Sequence, residues 1–512
     1  MISKEKASGQ IRGESSVEAA SSEGESASGE ALPEGWAEAA LGEVVEIWDN
    51  LREPVNAKER ATRQGPYPYY GANGQAGTID DYRFDGDYAL IAEDGGNFDE
   101  PEKGVAYRVT GKFWVNNHAH VLKGSSEMTS TFLVHLMNSM DWMPFVSGTT
   151  RLKLNQGKLK SAPLKVPPLA EQSRIVSAIE SLQERSSRAR DLLSEVGPLI
   201  GQLRQSLLRA AFSGRLTAAW REQNPDVEPA SELLTRIRTE RRQRWEAEQL
   251  AKYEAKGKKP PKNWQDKYKE PEPVDESELP KLPEGWYWTN MDTISHRVSV
   301  GHVGPTSKFY CDADEGIPFL RSQNVRPRRL SKEGLNYIVP EFHNKLQKSQ
   351  LQKGDILVVR VGANRGDTCR VPAGYDELNC ANIVFARPCG QMSEFIELFC
   401  QSDLGQSLLL GMSRGGAQGV INTTSIAELP IPICAHEEQA EIIRRVDQAL
   451  ETVSEVESGL ASMESSLTQL DQSILSKAFR GELVSQDPSD EPASQLLARI
   501  REKRQATSNK RR

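Results

Sequence analysis

Two stretches of the chain gather long cationic and amide side chains around glycine-containing loops. The first holds Asn73, Gln75, Arg151, Lys153, Lys158 and Lys160. The second holds Arg321, Gln323, Asn324, Arg326, Arg328 and Arg329, with Arg360, Arg365, Arg414 and Gln418 behind it. Arg and Lys donate to guanine O6 and N7 and hold phosphates, whereas Asn and Gln pair with adenine N6 and N7, so these side chains have the chemistry to read base edges. The same charges could serve only to solvate a surface. The grouping of Arg326, Arg328 and Arg329 favours binding, and for any single residue both readings stay open. Tyr69, Tyr70 and Trp114 read as core rather than as stacking platforms.

No arrangement for making or breaking bonds stands beside these donors, so no catalytic residue is expected. The chain lacks a G-x4-G-K-[ST] phosphate loop. Asn224-Pro225-Asp226 lacks the second proline and the aromatic residue of an amino-methyltransferase motif. Gly71, Gly74 and Gly77 are spaced as a turn, not as a dinucleotide fingerprint. His118 and His120 have no acidic or cysteine cluster beside them in sequence, which favours a packed or surface pair over a metal site. Asp99, Glu102 and Lys103 hold too little of a nuclease pattern and read as surface charges. Cys311, Cys369, Cys380, Cys389, Cys400 and Cys434 form no CxxC pair, so reduced thiols are expected rather than a disulfide framework or zinc ribbon.

The elements that must position the donors are announced by an internal duplication. Leu32-Pro33-Glu34-Gly35-Trp36 recurs as Leu282-Pro283-Glu284-Gly285-Trp286, an offset of 250. Further on the offset is 267: Asn155 with Asn422, Pro163 with Pro430, Glu171-Gln172 with Glu438-Gln439, and Ala211-Phe212-x-Gly214 with Ala478-Phe479-x-Gly481. Glu228-Pro229-Ala230-Ser231 returns 263 residues later as Glu491-Pro492-Ala493-Ser494. A period this long describes a duplicated domain with its connector, not a solenoid.

After each Glu-Gln the apolar residues follow heptads. In the first copy they run through Ile175, Leu182, Val196 and Leu203, and through Ile179, Leu193, Ile200 and Leu207. In the second they run through Ile442, Val456, Met463 and Leu470, and through Val446, Val453, Leu460, Leu467 and Ile474. Such spacing lays an apolar seam along one side of a helix roughly 60 Å long. Equal length, one per copy and a shared chain favour the two seams packing on each other as an antiparallel coiled coil over homodimerisation. Gly197-Pro198 should kink the first helix. A further helix is expected from Ser231 to about Tyr253, whose basic run Arg236–Arg244 reads first as a solvated face. Lys256–Pro273 reads as a linker.

The bodies between these features carry short β runs at Tyr88–Ile91, Phe113–Val115 and Asp355–Val359, with short helices near Thr131–Asn138 and Ser393–Ser402. The expected organisation is a disordered leader at 1–31, a body at 32–169, a long helix at 170–214 and a charged helical linker at 215–281. A second body at 282–435, a second long helix at 436–481 and a C-terminal helix with a basic tail at 482–512 complete it. The fold class is α+β, with a pseudo-two-fold repeat. A net charge of −8 argues against a protein that coats nucleic acid indiscriminately, while leaving room for local basic surfaces. No apolar run approaches the ~18 residues that cross a bilayer.

This order of LPEGW, body, LKVPPLAEQSRIVSAIE, long helix and LLRAAFSGRLT, then all of it again, resembles the specificity (S) subunits of type I restriction–modification enzymes. Tyr69–Gly74, Leu90–Gly95, Leu320–Val325 and Gly415–Gln418, followed by Asn422 and Leu429–Pro432, are similar to sequences of that family's target recognition domains. The resemblance implies two target recognition domains, each reading one half of a split site in double-stranded DNA, with the paired helices as a ruler. It implies two modification (methyltransferase) subunits and restriction (translocase/nuclease) subunits as partners in the cytoplasm. S-adenosylmethionine, ATP and magnesium would belong to those partners, with no cofactor or metal in this chain. A coiled-coil scaffold joining two protein-binding domains is the alternative, which the repeat fits equally well and the Asn/Gln-rich basic loops fit less well.

Overall fold

The computed structural model describes residues 31–411 and 419–511. The expected leader lies outside the described residues except for Ala31. The chain divides into two compact units, Met1–Arg190 with Glu464–Arg512, and Asp191–Met463. The division falls inside both long helices, so each unit owns one body together with the adjoining halves of both.

In the first unit the LPEGW segment leads into strand Ala37–Ala40, which pairs antiparallel with Pro163–Val166 and closes the body. Between them lies a six-stranded sheet. Its order is Glu46–Ile47, Ala119–Lys123, Phe84–Ala92, Ala106–Val115, Tyr67–Gly71 and Gly74–Ile79. Helix Ser130–Ser139 lies on the two central strands. Thr129 Oγ1 caps it by accepting from Phe132 N at 3.2 Å, and Phe132, Leu133, Leu136 and Met137 fill its apolar face.

The second unit repeats the closure: Tyr287–Asn290 pairs antiparallel with Pro430–Ile433. Its body differs, with one four-stranded sheet ordered Ser295–Val300, Ile383–Pro388, Ile356–Val359, Thr368–Arg370 and a second four-stranded sheet beside it. The unbroken apolar run Ile356–Val359 is buried at every position, as a strand covered on both faces requires. The repeated asparagines cap short helices in both bodies: Asn155 accepts from Lys158 N and Asn422 from Ser425 N.

The long helices span Leu169–Phe212 and His436–Ala478. Inside the first unit, Ser186 and Arg190 bond Asp471, each at 2.6 Å. Inside the second, Arg204 pairs with Glu457 at 2.8 Å. Rising numbers on one helix thus meet falling numbers on the other, and the pairing is antiparallel. Ile175, Ile179, Ile200, Ile442, Val446, Val453 and Ile474 are buried, and Leu182, Leu193, Val196, Leu207, Leu460 and Leu467 are half-buried.

Four expected seam residues are not in the seam: Leu203, Val456, Met463 and Leu470 are 46–56% exposed. An α-helix drifts by about 20° per heptad, so the line begun at Ile442 rotates out of a two-helix contact. Asp471, one residue past Leu470, meets Ser186 and Arg190 of the first helix, and Ala478, one residue past Lys477, is buried. The first helix continues unbroken past Pro198, which faces solvent.

Each helix end locks onto an LPEGW segment. Gly214 (φ +70°) packs on Pro283 in the second unit, and Gly481 (φ +76°) packs on Pro33 in the first. A Cβ there would stand 2.3 Å and 2.6 Å from a proline Cγ, so only glycine fits. Ala230, Leu233, Leu234 and Ile237 of helix Ala230–Ala255 join the second unit's core, as Ala493, Leu496, Leu497 and Ile500 join the first. The expected linker after residue 256 is not free chain: Trp264 is buried, stacked on Trp245 at 5.8 Å. All six cysteines are free, and burial pushes the thiols of Cys369, Cys389 and Cys400 up to about 12, where they are inert. No helix among the described residues is long and apolar enough to cross a membrane.

Candidate nucleic-acid interface

In the first body the turn between strands Tyr67–Gly71 and Gly74–Ile79 carries Asn73, whose amide donates to Gly95 O at 3.1 Å. Gln75 is exposed and bonds Gly77 O. Arg151 lies over Gly95, its Nε 2.7 Å from Asp94 Oδ1 and its guanidinium beside His118. Lys153 approaches Glu93 at 3.6 Å. Asn73, Arg151 and Lys153, distant in sequence, therefore converge on the loop 93–95. Lys158 and Lys160 stand exposed on helix Gln156–Ser161.

A buried polar network beneath this loop holds it in place. His120 Nδ1 lies 2.6 Å from Asp49 Oδ2, and His120 Nε2 lies 2.8 Å from Leu154 O. Asp49 also accepts from Val121 N and from Gln156 Nε2 of the helix that carries the two lysines. Burial alone would raise the Asp49 carboxyl, but His120, the Val121 N–H and Arg52 outweigh it and hold the carboxyl below the ordinary carboxylate range. Asp49, Glu93 and His120 place ligand atoms within 4.8 Å of one another, a spacing a metal could use. The Arg52 guanidinium already bonds Glu93 at 2.7 Å and Asp49 at 3.3 Å, so the positive charge such a trio calls for comes from the protein. The sequence points only to the histidines; the partners come from residues 34 to 71 positions away.

In the second body the arginine-rich run forms a 3-10 turn, Ser322–Asn324, and a hairpin, Val325–Arg326 with Arg329–Leu330. Its members divide by the partners they find. Asn324 is fully buried and holds the turn by donating to Ser331 O and Glu333 O. Gln323 donates to Gly334 O, and Arg326 folds back onto Val325 O. Arg328, a non-glycine residue at φ +59°, pairs with Asp447 of the second long helix at 2.8 Å and so ties the hairpin to that helix. Arg321 and Arg329 are exposed, with no side-chain partner among the described residues. Arg365 donates to Gly419 O, and Arg360 has its Nε buried without a hydrogen-bond partner among the described residues. Arg414 and Gln418 lie outside the described residues.

One neighbour is not legible in the sequence. Asn382 adopts φ +56°, donates its N–H to His302 O and accepts Ser322 Oγ on its carbonyl. It brings the loop after Val300 to the arginine-rich turn, at the edge of the sheet where Val303 and Val361 are 63% and 40% exposed. The geometry thus offers two exposed arginines, Arg321 and Arg329, without side-chain partners among the described residues, mounted on hydrogen-bonded loops.

Residues 33–195 match the family described as Type I restriction modification DNA specificity domain. The chain is similar to a putative type I restriction enzyme specificity subunit of Haemophilus influenzae, 39% identical over 147 residues, covering 29% of this chain and 37% of that protein. It is similar along nearly its whole length to the EcoDI specificity subunit of Escherichia coli, 23% identical over 493 residues, covering 94% of this chain and 97% of the relative. A chain from a solved structure concerning assembly and conformational transition of the type I R-M system shares the fold, with a TM-score of 0.58, 19% identity, and coverage of 88% and 100%.

Proposed function

We propose, from the premise that this chain belongs to the specificity (S) subunit family of type I restriction–modification enzymes, that it reads an asymmetric DNA site in two separated halves. Each body reads one half, the long helices act as the spacer, and partner subunits carry out adenine methylation and restriction at the site so chosen. The observation that carries this reading is the duplication seen in three dimensions: identical closures and helix locks hold two bodies whose sheets differ. A device that repeats its frame and varies its reading surface suits two different half-sites.

The chain supplies recognition and its partners supply chemistry. Two modification subunits would bring S-adenosylmethionine, and restriction subunits would bring ATP hydrolysis and magnesium. The test is to replace residues 33–169 with the body of another family member, express the hybrid with its modification subunits in cells, and map methyladenine by single-molecule sequencing. One half of the methylated motif should change and the other persist. A motif unchanged in both halves overturns the assignment. Within the second body, Arg321→Ala should cost about 1–3 kcal/mol and relax one base position if it reads a guanine.

A further inference from the structure

The basic run at Arg236–Arg244 and the segment after it take no part in the reading surface described above, yet together they build a cleft. It has a volume of about 280 Å³ and lies in the second unit, between helix Ala230–Ala255 and the returning segment that contains the turn Trp264–Lys267. One wall is aromatic. Trp245 stacks on Trp264 with ring centroids 5.8 Å apart and planes at 19°, and meets Tyr268 at 5.3 Å. The floor is fixed, because Arg241 bonds Asp292 at 2.9 Å, Tyr268 Oη at 3.1 Å and Ser295 O at 3.3 Å.

Its rim is cationic and available. Lys267 and Lys269 line the cleft, are exposed, and have no carboxylate partner among the described residues. Arg244 pairs with Glu248 at 3.6 Å. Arg241, Arg244, Lys267 and Lys269 line one concavity with Glu248, while Asp292 holds Arg241 and Glu240 stands 3.8 Å from the lining His296; four cations against three carboxylates leave an excess of positive charge that a concave surface concentrates. The segment leading in continues the field. Between 256 and 269 there are six lysines and one aspartate, and Lys256, Lys258, Lys259 and Lys262 are all exposed. In a chain of net charge −8, this accumulation is local.

We propose that this cleft binds a phosphate group beside a stacked or edge-on apolar face, and that the phosphate belongs to the backbone of DNA outside the bases that the two bodies read. A single free anion would need only the cleft. The linear run of lysines that enters it matches a polyanion, and the aromatic wall matches the sugar or base that a phosphodiester carries. The contact holds DNA without regard to sequence and stands independently of which bases the bodies recognise.

The experiment uses the full chain and the double variant Lys267→Gln/Lys269→Gln, whose exposed positions should leave the thermal transition unchanged. Binding to a fluorescein-labelled random-sequence 40-base-pair duplex is measured by anisotropy across a range of potassium chloride concentrations. Removing one lysine–phosphate interaction should flatten the plot of log Kobs against log salt by about 0.9, so the variant should be shallower by about 2. In a second arm, inorganic pyrophosphate is titrated against tryptophan fluorescence, and the response of the natural chain should be absent from the variant. Equal salt slopes with a pyrophosphate response that the variant lacks would overturn DNA as the source and leave a small-anion site. If the natural chain fails to bind the duplex at all, DNA is likewise overturned, and the pyrophosphate arm still reads the cleft. Equal slopes and equal pyrophosphate responses would overturn the site itself.

Discussion

The two units use the same tryptophan–glutamate clasp, and its surroundings differ. In the first, Trp36 Nε1 donates to Glu171 Oε2 at 3.1 Å, and Glu171 Oε1 is buried without a hydrogen-bond partner among the described residues. In the second, Trp286 Nε1 donates to Glu438 Oε2 at 3.0 Å. There Glu438 Oε1 also accepts from Thr217 and Arg221, both at 2.7 Å. The cause is written in the repeat: at its offset of 267, Thr217 and Arg221 become Val484 and Pro488. One copy therefore keeps a buried carboxylate bonded to a tryptophan, a threonine and an arginine, and the other buries a carboxyl bonded, among the described residues, to the tryptophan. Duplication preserves the shape of an interaction while its electrostatics drift.

The largest test of that contrast removes the charge from each clasp. Glu438→Gln should leave Arg221 facing a neutral amide in a site only 3% exposed at the glutamate side chain, at a cost of roughly 2–4 kcal/mol, because breaking a buried pair strands the surviving charge. Glu171→Gln should change stability by no more than about 1 kcal/mol, since the amide still accepts from Trp36 and no cation is stranded. Denaturant unfolding followed by hydrogen exchange, which reads the two units separately, decides the matter. Equal losses in both variants would break the comparison.

The frame that carries these clasps was legible in the sequence, and for a physical reason. Its parts recur, so Asn155 with Asn422 and Gly214 with Gly481 stand out as repeats, although their roles as helix caps and as glycines packed on Pro283 and Pro33 appear only in three dimensions. The paired seams followed from heptad spacing, but which residues stay buried along the helices depends on accumulated helical drift, and the exposure of Met463 and Leu470 could not be read from a seven-residue rule. The candidate interface was less legible. Residue type marked Arg321 and Arg328 alike, yet one has no side-chain partner among the described residues and the other bonds Asp447, far along the chain. Asn382 carried no signal at all, because its role rests on a backbone angle. The buried network of Asp49, Arg52, Glu93 and His120 likewise joins residues from separate strands and turns.

A smaller difference separates the two candidate loops. In the first body Arg151 is anchored to Asp94 of its own body, whereas in the second Arg328 is anchored to Asp447 on the long helix. Asp447→Asn should therefore loosen the hairpin Val325–Leu330, with faster hydrogen exchange there and a stability cost of about 1 kcal/mol or less, as befits a half-exposed pair. Asp94→Asn should speed exchange only around residues 93–95 and 151–153. Under the proposed function, the first variant weakens discrimination in one half-site and the second in the other. If both variants altered the same half, the separate anchoring of the two loops would be wrong.

The smallest expected effect is the most specific to the first clasp. Burial raises the Glu171 carboxyl above its ordinary value of 4.5, outweighing the Trp36 hydrogen bond and the charge of Arg174. The folded first unit therefore favours the protonated form. That contribution to stability is complete below the ordinary value and is lost as the pH climbs from there through the raised one. The loss should appear as a shallow decline in the first unit's melting temperature on the alkaline side of pH 4.5, superimposed on the opposite trend from Asp49, whose lowered carboxyl loses its contribution only in stronger acid. Glu171→Gln should abolish the shallow decline and leave the acid limb intact. The melting temperature of the second unit should not respond to that substitution at any pH, and a matching change there would mean that the two clasps do not act on their own units alone.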